Sequence, residues 1–157
     1  MKWKKWLENW GMTKLKVKTS FLEMEWQPQN ADKSAAWELY IELLTRVATQ
    51  YLLPEQGDEQ AALDSIYELF DLTRGVIKNY GRDCMEFTKL AILVLNQVIR
   101  PFTAKWHRLG LAGAFDDEEK CRQFRAELQE LQVELRRYAQ MLADMADVED
   151  LTRMEDV

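Results

Sequence analysis

The sequence predicts a mainly α-helical fold: a four-helix bundle-like single domain with a short N-terminal β-hairpin or strand at about 14–26. Three observations predict it. Apolar residues recur at helical spacing over most of 33–145. Only six Gly and three Pro occur in 157 residues, too few for a many-turned β architecture. The stretch Cys84–Leu109, CMEFTKLAILVLNQVIRPFTAKWHRL, has only Asn96 and Gln97 as polar residues between Leu90 and Ile99. A helix that apolar is buried by neighbours on most sides, and its apolar run is too short to span a bilayer.

The elements follow in order. Residues 1–12 read as a short amphipathic helix, with Trp3, Trp6, Leu7 and Trp10 at helical spacing among Lys2, Lys4 and Lys5, ended by Gly11. Its aromatic face either docks on the body of the protein or meets a membrane surface or partner. From residue 14 the period changes to two: Leu15, Val17 and Thr19 alternate with Lys14, Lys16 and Lys18, then Leu22, Met24 and Trp26 with Glu23 and Glu25. This predicts a hairpin with a lysine row facing a glutamate row, or one irregular strand bulged near Ser20, since no two-residue turn signal is present.

Pro28 lies in the next connection, and Asp32 is expected to cap a helix over 33–52 with the stripe Trp37, Tyr40, Ile41, Leu44, Val47, Ala48 and Tyr51. Pro54 and Gly57 mark a loop. Asp58 caps a second helix over 59–80, with Leu63, Ile66, Phe70, Val76 and Ile77 inward and Gly81 just past its end. Asp83 is placed to cap the central helix, where Pro101 should kink or loosen the turn before it. Asp116 or Asp117 opens the last helix. Its residues Cys121, Phe124, Leu128, Leu131, Leu135, Tyr138, Leu142 and Met145 form a heptad seam, suited to an intermolecular coiled coil or to packing within the domain. Residues 146–157 read as a frayed acidic tail.

Charge is unevenly distributed. Residues 1–18 carry six Lys and one Glu, so the net charge of −6 leaves −11 on the rest. An acidic body is a poor generic binder of nucleic acid phosphate. The basic end suits an anionic membrane, an acidic partner or the acidic body itself. Two isolated cysteines, Cys84 and Cys121, with one histidine give no zinc spacing and point to a reduced cytoplasm. No phosphate-binding, dinucleotide-binding, serine-hydrolase or zinc-protease motif is present, and no cofactor or metal is expected. The glutamates at helical spacing, Glu38 and Glu42 or Glu127, Glu130 and Glu134, lack the Glu-x-x-His companion of a two-metal bundle site.

The sharpest candidate chemistry lies in the central helix. Asn96, Arg100, Thr103 and His107 stand at i, i+4, i+7 and i+11, on one face. Arg can hold phosphate and His can act as general acid or base. An Arg followed a few residues later by His on a late helix resembles the HEPN ribonucleases. That resemblance implies a homodimer in which Arg100 and His107 of two protomers cut RNA without metal, supported by Asn96 and Thr103. Pro101 stands where that family usually has a polar residue. Otherwise the four residues are the wetted strip of a buried helix.

The leading reading is a non-enzymatic helical interaction module: a small cytoplasmic subunit or adaptor of a larger, bacterial assembly. It would contact a protein partner, or a second copy, through Trp3, Trp6 and Trp10 and the seam Phe124, Leu128, Leu131, Leu135, Tyr138 and Leu142. The ribonuclease, and a peripheral membrane protein held by the N-terminal helix, are the alternatives.

Overall fold

The central stretch is helical throughout, but in unequal pieces. The computed structural model describes residues 1–50, 52 and 58–154. A 3₁₀ turn, Gly81–Cys84, takes the place of a simple Asp83 cap and leads into α5 (Met85–Val94). A π turn covers Leu95–Ile99, and α6 (Arg100–Leu111) continues the axis. The π turn falls directly before Pro101. Proline has no N–H for the preceding turn, and the Arg100 N–H reaches back five residues to the Leu95 carbonyl. The loosened turn is thus where the proline predicts it.

The long helices α3 (Asn30–Leu44), α4 (Glu59–Tyr80) and α7 (Glu118–Ala146) complete the main body. α3 packs against α7, α4 and α5, and α4 packs against α6. One hydrophobic cluster runs from Trp3 to Ala146 and includes Phe87, Leu90, Val94, Ile99, Phe102 and Trp106 of the central stretch. α4 has the predicted bounds; Asp58 caps it by accepting from Ala61 N at 2.6 Å, and Gly81 follows at φ 64°, a left-handed value that suits glycine. Asp117 caps α7, accepting from Glu119 N at 2.9 Å.

α3 departs from the expected 33–52. It starts at Asn30, so Asp32 is its third residue rather than its cap; Gln29 occupies the cap and shares a reciprocal capping box with Asp32. The helix stops at Leu44 because side chains capture its last carbonyls. Thr45 Oγ1 donates to Ile41 O, Thr49 Oγ1 to Leu43 O and Gln50 Nε2 to Leu44 O. α7 then serves the carbonyls beyond: Gln132 Nε2 donates to Val47 O and Gln50 O, and Arg136 Nε to Thr49 O. Tyr51, Pro54 and Gly57 of the predicted stripe and loop lie outside the described residues.

The predicted N-terminal β-hairpin is not formed. Among the described residues there is no strand, only an isolated antiparallel bridge between Lys2 and Glu25. Residues 12–18 have no regular secondary structure, and α2 (Thr19–Leu22) is a single helical turn. The alternation over 14–18 is nonetheless obeyed: Leu15 and Val17 are half-buried, and Lys14, Lys16 and Lys18 are exposed, while Met12, off that register, is buried. With no tight-turn residues near Ser20, the chain turns through α2 instead, where the Phe21 ring sits 4.9 Å from Trp3. The glutamate row never faces the lysine row; Glu23 pairs with Lys2 at 2.6 Å.

α1 (Trp3–Asn9) docks on the body. Trp3 and Trp6 are 0% and 1% exposed. Their indole N–H groups end on carboxylates: Trp3 on Glu86 at 2.9 Å, Trp6 on Asp144 at 2.6 Å, joined there by the half-buried Trp10 at 3.1 Å. The acidic tail is not frayed over its described part. Asp147 adopts the left-handed conformation that ends α7, and Leu151 N donates to the Tyr40 hydroxyl at 2.6 Å. Among the described residues no helix is long and apolar enough to cross a membrane.

Candidate functional site

The Arg100–His107 stretch is built on α6 between the core and α4. The Arg100 guanidinium is exposed but engaged: Nε and Nη2 donate to Asn96 Oδ1 at 3.2 and 3.1 Å, and it lies 4.7 Å over the Phe70 ring. His107 is half-buried, its ring 4.7 Å from that of Tyr67. Its Nε2 is shut off from solvent and has no hydrogen-bond partner among the described residues. Thr103 faces inward, buried, its hydroxyl on the helix's own carbonyls of Ile99 and Arg100. The four predicted residues therefore do not form one wetted strip. Asn96 and Arg100 form an exposed pair, while Thr103 is spent inside the helix.

The expected contact surfaces are also largely consumed within the chain. Trp3 and Trp6 belong to the core. The seam residues Phe124, Leu128, Leu131, Leu135, Tyr138 and Leu142 are all buried, chiefly against α3. Burial pushes the Tyr138 phenol far above its ordinary range, so it titrates at no physiological pH. Cys121 Sγ lies against the Phe115 carbonyl, and burial, with Glu59 nearby, pushes its thiol up, the wrong direction for a nucleophile.

The open surface lies elsewhere, where residues 12–18 cross the central stretch at its π turn. The Gln97 side chain reaches from that turn and pairs with one residue of the strap: Lys16 N donates to Gln97 Oε1 at 2.7 Å, and Gln97 Nε2 donates to Lys16 O at 2.9 Å. A side-chain amide here stands in for a neighbouring strand. The strap's apolar residues point in and its lysines out. Lys14, Lys16 and Lys18 have no charged partner among the described residues, whereas Lys2, Lys89 and Lys105 are paired.

Two clefts border the strap. One, of about 940 Å³, runs between the strap, the Val98–Phe102 turn and α7, floored by Met12, Leu15, Phe102 and Leu131. Val133, 52% exposed, lies along its α7 wall. Its rim is mixed: Lys14 and Lys16 on the strap, Lys105 paired with Glu127, and Glu130 and Glu134 on α7. The other, of about 390 Å³, is lined by Val17, Phe21, Met24 and Leu93, with Lys16 and Lys18 at its edge and no acidic residue. Pockets of this kind, apolar with a few placed polar groups, are where ligands bind.

The expectation of a hairpin or one irregular strand over 14–26 does not reveal this site, because neither pairs the segment with the central helix. The lysine alternation was the available signal, and Gln97 was visible only as a polar interruption in an apolar run. Among the described residues no cluster of His, Cys, Asp and Glu is arranged to hold a metal ion. Comparison with protein-family profiles, with curated proteins and with solved structures finds no match to this chain.

Proposed function

We propose that this chain is a non-enzymatic interaction module, a small cytoplasmic subunit or adaptor. Its long helices act as a bundle-like scaffold, and its contact surface is the strap 12–18 with the two clefts beside it. One observation carries the reading: three lysines without a charged partner among the described residues stand in a row over apolar clefts, on a chain whose residues 19–157 sum to −11. Unpaired like charges in a row repel one another, and an acidic partner relieves that repulsion while steering its own approach. The ribonuclease reading is less well supported, since its histidine nitrogen is enclosed and its arginine is occupied by Asn96. The membrane reading through α1 loses its apolar face to the core.

The test is site-specific photo-crosslinking in the native host, with the crosslinker placed at Val133, at Met24, and at Tyr67 on the His107 side. The expected result is capture of the same protein from Val133 and Met24 and not from Tyr67. Capture only from Tyr67, above all of a second copy, would return attention to Arg100 and His107.

A further inference from the structure

The alternating burial of the strap, with Leu15 and Val17 turned in and Lys14, Lys16 and Lys18 out, is that of an extended chain. In an extended segment the N–H and C=O of one residue point to the same side, and those of the next residue to the other. Lys16 directs both of its groups at Gln97. Leu15 and Val17, one residue to either side, therefore direct theirs away from Gln97. Neither makes a backbone hydrogen bond among the described residues. Their side chains face the protein and the lysines face outward, so a strand laid on that edge would meet a short apolar row and a short basic row, alternating.

We propose that the occupant of this surface is an extended acidic segment of a partner protein, added as a β-strand along Leu15–Val17. Its carboxylates would lie opposite Lys14, Lys16 and Lys18, and its apolar residues would enter the cleft lined by Val17, Phe21, Met24 and Leu93. This rests on the interaction-module reading above and names its partner's chemistry. Three features select the occupant. The unpaired backbone groups ask for an extended main chain. The lysines at every second residue ask for negative charge at every second residue, the favourable cross-strand pairing. The cleft lined by Val17, Phe21, Met24 and Leu93 carries no acidic residue that would repel such a segment. A helix could satisfy the charge but not the open backbone edge.

The probe is a short fluorescein-labelled peptide alternating Glu with Val, followed by anisotropy against the full chain. Saturable binding is expected, weakened about tenfold or more in the triple charge reversal K14E/K16E/K18E. All three lysines are exposed, so a matching circular dichroism melt checks that the variant is folded. Two N-methylated peptides then test strand addition itself, one methylated on the Val amides and one on the Glu amides. Only every second amide of an added strand faces its receptor, so one peptide should lose binding and the other keep it. Equal binding by both, or no dependence on the lysines, overturns the proposal. So does binding of single-stranded RNA or phosphatidylserine vesicles in place of the peptide. If crosslinking at Val133 and Met24 succeeds while the peptide fails, the surface stands and only its strand-adding occupant is lost.

Discussion

Gln97 holds Lys16 as a strand would hold its neighbour, with donor and acceptor at 2.7 and 2.9 Å. The glutamine sits on the one π turn of the central stretch, beside a proline that removes a backbone donor. A π turn carries an additional residue for the same rise and so re-aims the side chains on it. The position of the strap thus depends on a local irregularity in the core helix, and everything at the candidate surface depends on the strap.

Gln97→Ala should release the strap without unfolding the body. Two hydrogen bonds are lost, each with a net value of about 1 kcal/mol, part of which returns as chain entropy in the freed segment. We expect a global loss of about 1 kcal/mol, faster hydrogen exchange at Lys16, and faster tryptic cleavage after Lys14, Lys16 and Lys18. Gln97→Glu keeps the acceptor for Lys16 N but sets a carboxylate oxygen against Lys16 O, so it should fall nearer Ala than wild type. Unchanged exchange at Lys16 in both variants would show that Leu15 and Val17 packing alone positions the strap.

α1 should prove structural rather than a detachable anchor. Trp6→Ala empties a site that is 1% exposed and stacked on Trp26 at 4.6 Å, and should cost about 3–5 kcal/mol in urea unfolding. Asp144→Ala leaves the packing and removes the acceptor shared by Trp6 and Trp10. A buried indole N–H without a partner costs about 1–3 kcal/mol. If either variant binds anionic vesicles no differently and unfolds like wild type, α1 is not docked in solution as described.

How much of this was legible in the sequence divides by the range of the interaction. α4 and α7 were read closely, because caps Asp58 and Asp117, the glycine after Tyr80 and an unbroken apolar seam are all local signals. Pro101 announced the loosened turn for the same reason. The end of α3 was not readable, since Thr49, Gln50, Gln132 and Arg136 decide it jointly across more than eighty residues. The alternation of 14–18 is real, but its partner is a side chain of a distant helix and not a second strand. Tyr40 and Leu151, which tie down the acidic tail, carry no pairing signal of their own.

His107 should behave as a packing residue. Its ring lies on Tyr67 and its Nε2 is enclosed without a partner among the described residues. Replacing a half-buried ring whose one enclosed nitrogen has no partner by an apolar ring of similar shape is close to neutral. His107→Phe is therefore expected within about 1 kcal/mol of wild type, whereas His107→Ala loses the ring contact and should cost about 1–2 kcal/mol. RNA cleavage without metal, abolished in both Arg100→Ala and His107→Phe while helix content is kept, would instead reinstate the HEPN-like reading.

Asp32 ties two helices together, and its protonation should show in the pH dependence of stability. Oδ2 accepts from Gln29 N at 2.7 Å at the start of α3, and Oδ1 accepts from Phe87 N at 2.9 Å in the first turn of α5. Asp32→Ala strips both ends of their acceptor and should cost about 3 kcal/mol. Burial pushes the carboxyl above its ordinary range, and the two N–H donors, which pull it down, only partly offset that rise. The folded state thus holds the proton more tightly than the unfolded chain, where an aspartate titrates near about 3.9. Between the unfolded and folded values the native state binds more protons, so stability must fall as pH rises through that window. The contribution is fully present below the unfolded value and lost as pH climbs through the folded one. Asp32→Asn cannot titrate and offers a single acceptor oxygen. Urea unfolding of the two proteins from acid toward neutral pH should show wild type's advantage over Asp32→Asn shrinking as pH increases. An advantage that grows instead would mean that the Gln29 and Phe87 bonds to the carboxylate outweigh its desolvation.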